Sequence, residues 1–144
     1  MHRTAVGGTS ALLAAVLVGC GGASHTAPTP ATDAISLRSI TPAPGTPLTA
    51  GQRVDFTATV NYTLASAASG QIVIVIQDQL DQNLKPAGVI QTAVPVVMGT
   101  STATLSDSIT IPGTGVSSVR VVFPLIPTGA TRTEVLVSVT YPVS

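Results

Sequence analysis

From residue 35 onward, apolar and polar side chains alternate with a period of two, the spacing of residues that point to opposite faces of a strand. The clearest run is 53–64, where Val54, Phe56, Ala58, Val60, Tyr62 and Leu64 are apolar and Arg53, Asp55, Thr57, Thr59, Asn61 and Thr63 between them are polar. It predicts one long, half-buried strand. Shorter stretches repeat the pattern: Ala103, Leu105, Ile109 and Ile111 share a face broken only by Asp107, Val119 to Leu125 supply a second such face, and Val135 to Tyr141 a third. Ile72-Val73-Ile74-Val75-Ile76 is an unbroken β-branched run, which predicts a central strand covered on both faces. Residues 88–98 contain Pro95, which cannot donate to a ladder, and this predicts an edge. Ile35 to Ile40 forms a first strand, stopped by Pro42, Pro44 and Pro47.

Gly51, Ser69-Gly70, Gly99, Pro112-Gly113 and Pro127-Thr128-Gly129 punctuate these runs at fairly even spacing. About seven strands follow, and no helical stripe competes with them. The expectation is an all-β, antiparallel sandwich over residues 35–144, with a small barrel as the competing architecture. Ile40-Thr41-Pro42, followed by Leu48-Thr49-Ala50-Gly51 leading into the alternating strand, resembles the immunoglobulin-like and fibronectin-type-III-like modules of exported bacterial proteins. That resemblance implies an immunoglobulin-like sandwich, here without the cysteine pair and core tryptophan of antibody domains.

The first nineteen residues have a different character. His2 and Arg3 precede an uncharged stretch whose apolar centre is Ala11 to Val18, the order of a secretory signal. A membrane-spanning helix needs about 20 apolar residues, and this run is shorter. It ends in Leu17-Val18-Gly19-Cys20, which resembles the lipobox of bacterial lipoproteins: an aliphatic residue, a tolerant position, a small residue, then cysteine. The resemblance implies a diacylglycerol on the Cys20 thiol, cleavage between Gly19 and Cys20, and acylation of the new amino terminus. At about 0.8 kcal/mol per buried methylene, two or three acyl chains hold a protein on a bilayer essentially permanently. Gly21 occupies the position where an Asp signals inner-membrane retention in Gram-negative lipoproteins, so the resemblance implies an outer-membrane destination in such a cell. Residues 20–34 mix Gly, Ser, Thr and Pro without apolar periodicity and read as a lipidated cysteine on a flexible linker, in which His25 is a solvated side chain.

Length and charge narrow the function. The chain has 144 residues, room for one ordinary domain, and only 8% are charged, with 6 basic against 6 acidic side chains. No basic run exists, so a nucleic-acid partner is excluded on electrostatic grounds. Cys20 is the only cysteine, which leaves the domain without disulfides to stand on its hydrophobic core.

Candidate chemistry is sparse, and no cofactor motif is present. Residues 35–144 contain neither His nor Cys, so nucleophile-and-base hydrolysis has no base. A carboxylate hydrolase would have to draw on Asp55, Asp78, Asp81, Asp107 and Glu134, of which Asp55 and Glu134 fall at polar positions of alternating strands. Asp78, Asp81 and Asn83 lie on one loop and could offer oxygens to calcium, although their spacing matches no EF-hand and these are also ordinary turn residues. Thr57, Thr59, Asn61 and Thr63 make a polar stripe that suits ice or sugar recognition, and equally suits the wet face of a sheet. Lys85 is the only lysine and few charges interrupt the strands, so an uncovered edge invites another chain, with Pro95 and Pro124 as the residues limiting it. The expected protein is non-catalytic, anchored to the bacterial envelope by lipid at Cys20, and presents loops or an edge strand to a partner. A calcium-stabilised module and a carboxylate hydrolase are the alternatives.

Overall fold

A computed structural model describes residues 31–86, 88–89, 91–131 and 135–144. Leu17, Val18, Gly19, Cys20, His25 and Glu134 therefore lie outside the described residues. The elements are β1 (Ala34–Thr41), β2 (Arg53–Val73), β3 (Val75–Asp78), β4 (Ala93–Thr110), β5 (Ser118–Pro127) and β6 (Val135–Pro142), with no helix among the described residues. Every pairing between these strands is antiparallel.

Six strands replace the expected seven because two turn signals bend a strand without ending it, while a break at Ile74 divides the β-branched run between two strands. Ser69-Gly70 lies inside β2, and Gly99, at φ 118°, lies inside β4. At this bend the register of β2 against β4 shifts, from Leu64 opposite Gly99 to Ser69 opposite Val97. The 53–64 part of β2 runs between β1 and β4, whereas its last residues run between β4 and β5. After Ile74 the same line of chain resumes as β3, also paired with β5. Only the first part of the β-branched run is central as expected: Ile72 and Val73 lie on β2 between β4 and β5, whereas Val75 and Ile76 lie on β3, which ends the strand order beside β5; β4, which carries Pro95, is an edge paired with β2 alone.

The alternating residues do what their period requires. Phe56, Ala58, Val60, Tyr62 and Leu64 from β2 are buried in one cluster with Ile72, Ile74 and Ile76, with Leu105 and Ile111, and with Val119, Val121, Phe123 and Leu125 of β5. Tyr141 on β6 is fully buried, its ring 5.4 Å from that of Phe56, and its hydroxyl donates to the Pro42 carbonyl at 2.8 Å. Burial raises the Tyr141 phenol above its ordinary value. Its contribution to stability is therefore fully present below the ordinary tyrosine value and is lost as pH rises above that through the raised one.

Pro124 does not guard an edge. It sits on β5, between β6 and the β2/β3 line, where the neighbour changes from β3 (Val122 opposite Val75) to β2 (Leu125 opposite Ile72). A missing N–H costs least at such a gap in a ladder.

Candidate functional site

The register places two groups of connections at opposite ends of the fold. At one end lie the chain entering β1, the bend of β2, the bend of β4 and the β5–β6 connection, as the pairs Ala34 with Thr63, Leu64 with Gly99 and Gly70 with Pro127 require. At the other lie the β1–β2, β3–β4 and β4–β5 connections, as Thr41 with Thr57, Arg53 with Thr110 and Asp78 with Val119 require.

Asp33 fastens the entering chain to the first end. One carboxylate oxygen accepts from the Ala65 and Ser66 amides at 2.7 and 2.9 Å, and the other accepts from the Ser66 hydroxyl. The Ser66 hydroxyl, seconded by the two amides, holds the Asp33 carboxyl below the ordinary carboxylate range, against a smaller opposing effect of desolvation. The clasp therefore contributes above that range and loosens as pH falls through the lowered value. An open depression beside it is lined by Asp33, Ala65, Leu125, Pro127, Thr128 and Val135, among others. Composition alone assigned Asp33 to the linker, because its partners lie some thirty residues further along the chain.

The loop at the opposite end uses its oxygens internally. Asp78 Oδ1 accepts from the amides of Leu80 and Gln82 at 2.8 and 2.9 Å, a side chain closing its own turn. Asp81, in the left-handed region at φ 59°, directs Oδ1 at the Arg120 guanidinium 2.9 Å away. Asn83 Oδ1 accepts from the Lys85 amide at 3.1 Å. Each of the three candidate ligands thus has an oxygen engaged by a protein donor, and among the described residues no three His, Cys, Asp or Glu side chains are grouped as metal ligands. Thermal melts with and without a calcium chelator are expected to have the same midpoint, and a fall on chelation would reinstate a calcium site in this loop.

Among the described residues, the acids available for a hydrolase fall at three places. Asp55 is exposed beside Arg53; Asp78 and Asp81 are in the turn just described; Asp107 faces inward opposite Phe56. None of these four lines the open depression.

Asp107 is where sequence reasoning missed the most. The Lys85 ammonium, carried by the β3–β4 connection, lies 2.6 Å from Asp107 Oδ2, and both side chains are more than nine-tenths covered, at 9% and 8% exposure. The approach is an ion pair without hydrogen-bond alignment at Oδ2; the other oxygen, Oδ1, accepts from the Ser108 amide at 2.8 Å. The only lysine is therefore a buried partner and protects no edge. A carboxylate breaking an apolar face was the signal, but its partner could not be chosen from spacing.

The threonine stripe is likewise self-satisfied. Thr57, Thr59 and Thr63 share hydrogen bonds with Ser106, Thr104 and Thr100 on β4, at 3.1, 3.2 and 3.0 Å. A wet sheet face of cross-strand hydroxyl pairs results.

No known protein-family model matches the chain, and neither does any curated protein.

Proposed function

We propose that the chain is a non-catalytic, lipid-anchored protein of the bacterial cell envelope that presents an immunoglobulin-like β-sandwich for interaction with other proteins or surfaces. The observation that carries this reading is Leu17-Val18-Gly19-Cys20, placed directly after an apolar leader in a chain with no other cysteine. Gly21 favours the outer membrane where the cell has two.

Two layers are supported by the way β2 exchanges β1 for β5 at its bend while β4 bends along with it. One layer consists of β1, residues 53–64 of β2 and residues 99–110 of β4; the other of residues 93–97 of β4, the end of β2 with β3, then β5 and β6. Phe56 and Tyr141 meet although their strands share no ladder, as residues facing one another across a sandwich core do. Partner contacts fall to the loops or to the unpaired side of β4, an edge with Asp107 as its one charge and that charge turned inward.

Mass spectrometry of the mature amino terminus, with membrane fractionation of wild type and Cys20→Ala, tests the anchor. The expected result is a lipid-modified Cys20 in the membrane fraction and release of the variant. An unmodified terminus cut elsewhere, on a protein free in solution, overturns it.

A further inference from the structure

A free strand edge presents N–H and C=O groups that another strand can satisfy, and folded β proteins guard such edges with charge, bulges, proline or cover. Most boundaries of this fold are guarded in one of these ways. The ladder of β1 against β2 shifts between Leu37 and Ser39, and the residue left over there is the exposed Arg38. β1 and β6 lie beside one another, and the end of β6 is met by Leu48 and Ala50, whose amides donate to the Pro142 and Ser144 carbonyls at 2.8 and 3.0 Å. The outer side of β3 is taken by the connection that follows it: the Leu84 amide donates to the Ile76 carbonyl, and the Asp78 amide to the Gln82 carbonyl, both at 2.9 Å.

The C-terminal part of β4 is different. Among the described residues it pairs with β2 alone, and no bulge interrupts that ladder between Arg53 opposite Thr110 and Leu64 opposite Gly99. Its open stretch is bounded at one end by the bend at Gly99 and at the other by Asp107, whose Oδ1 takes the Ser108 amide at 2.8 Å. Between them Thr100-Ser101-Thr102-Ala103-Thr104-Leu105-Ser106 contains no charge, no proline and no glycine. Neutral stretches of this length, rich in strand-forming residues, are those that pair with copies of themselves.

We propose that residues 100–106 of two copies of the chain pair antiparallel about Ala103, joining the β1–β2–β4 layers of both into one continuous sheet. The inference rests on the interaction reading above, which it deepens by naming the partner and the register, and it does not need the lipid at Cys20.

Self-complementarity selects a second copy. About this centre Thr100 falls opposite Ser106 and Thr102 opposite Thr104 on the outer face, while Ser101 falls opposite Leu105 and Ala103 opposite itself on the inner face. Hydroxyl meets hydroxyl, as it already does on the other flank of β4, where Thr100, Thr104 and Ser106 bond Thr63, Thr59 and Thr57. A slip by one residue would set outer side chains against inner ones, and a slip by two would lose two of the seven pairs. No like charges meet, because Asp107 is the only charge on β4 and its two copies lie at opposite ends of the paired stretch. A foreign strand would have to bring a matching neutral row, which a second copy carries already. The contact is small, so the dimer forms and parts with concentration.

The test uses the mature protein in detergent micelles, with Cys20 blocked by its own lipid or, where the mass of the amino terminus shows none, by alkylation; that mass reports on the anchor separately. Thr102→Cys and Thr104→Cys chains are mixed and oxidised. Opposed residues on neighbouring strands lie about 5 Å apart and diagonal ones about 7–8 Å, so the mixed disulfide between positions 102 and 104 is expected to exceed either self-pair several-fold. Sedimentation velocity of the wild type is expected to show a monomer–dimer equilibrium that Thr102→Lys abolishes while circular dichroism stays that of a β protein. Thr104→Lys repeats the measurement should the first variant unfold. A wild type that is monomeric at every concentration, a dimer indifferent to the lysine variants, or self-pairs as abundant as the mixed one overturns the proposal. A different protein seated on residues 100–106 in place of the copy overturns it too, and leaves the interaction reading standing.

Discussion

Lys85→Met lowers the unfolding free energy by about 3–5 kcal/mol, a substantial part of what holds an ordinary domain together. Asp107 is inward-facing opposite Phe56 and flanked on its face by Leu105 and Ile109, and among the described residues the Lys85 ammonium is the one countercharge against its Oδ2. Removing the cation leaves a carboxylate with only the Ser108 amide for company. Asp107→Ala should cost comparably by stranding the ammonium. The informative variant is the double one, Lys85→Met with Asp107→Leu. A buried pair pays its desolvation twice, and replacement of both partners by apolar groups of similar size is commonly neutral or stabilising. The double variant is therefore expected to recover most of the loss, with denaturant midpoints moving at constant m-value. Two single losses that simply add would show that Lys85 and Asp107 act independently, against the 2.6 Å contact.

That pair marks the limit of what the chain discloses by itself. The strand over 53–64 is legible because its periodicity is a local property, and Phe56, Ala58, Val60, Tyr62 and Leu64 are buried as alternation requires. The burial of Ile72, Ile74 and Ile76 and the edge position of β4 are legible for similar reasons, from residue type and from Pro95, while the place of β3 at the end of the strand order is not. Strand ends are not. A glycine or a Ser-Gly step reads the same whether the chain turns back or only bends, and Ser69-Gly70 and Gly99 bend. Contacts between distant residues are invisible for a different reason. Asp33 with Ser66 and Lys85 with Asp107 depend on which strands become neighbours, and several partners of equal chemistry exist for each. The acids and the polar loop were legible as candidates, while their partners were not, because Asp78 and Asp81 acquire their roles from a turn and from Arg120 across the fold.

Gly70→Ala is expected to destabilise by about 1–3 kcal/mol or more, through overpacking and not through backbone freedom. Gly70 is opposite Pro127 where β2 first meets β5, and a Cβ there would fall 2.7 Å from the Ile126 carbonyl oxygen and 3.1 Å from the Pro127 Cα. Both are backbone atoms, so relief requires moving a strand. The site also lies where β2 changes neighbours, pairing with β1 up to Thr63 and with β5 from Gly70 on. Pushing the two chains apart strains the Thr128 amide to Ser69 carbonyl bond at 2.9 Å and disturbs Ile72 and Leu125 in the core. Gly113→Ala is the matched control, since a Cβ at that position meets nothing within 4 Å and its φ is not positive. By restricting the unfolded chain it should be neutral or stabilise by about 0.4–1 kcal/mol. Thermal or denaturant unfolding of the two variants side by side separates the effects. Equal midpoints would mean that β2 and β5 do not approach as closely as Gly70 permits, and the two-layer arrangement would lose the crossing on which it depends.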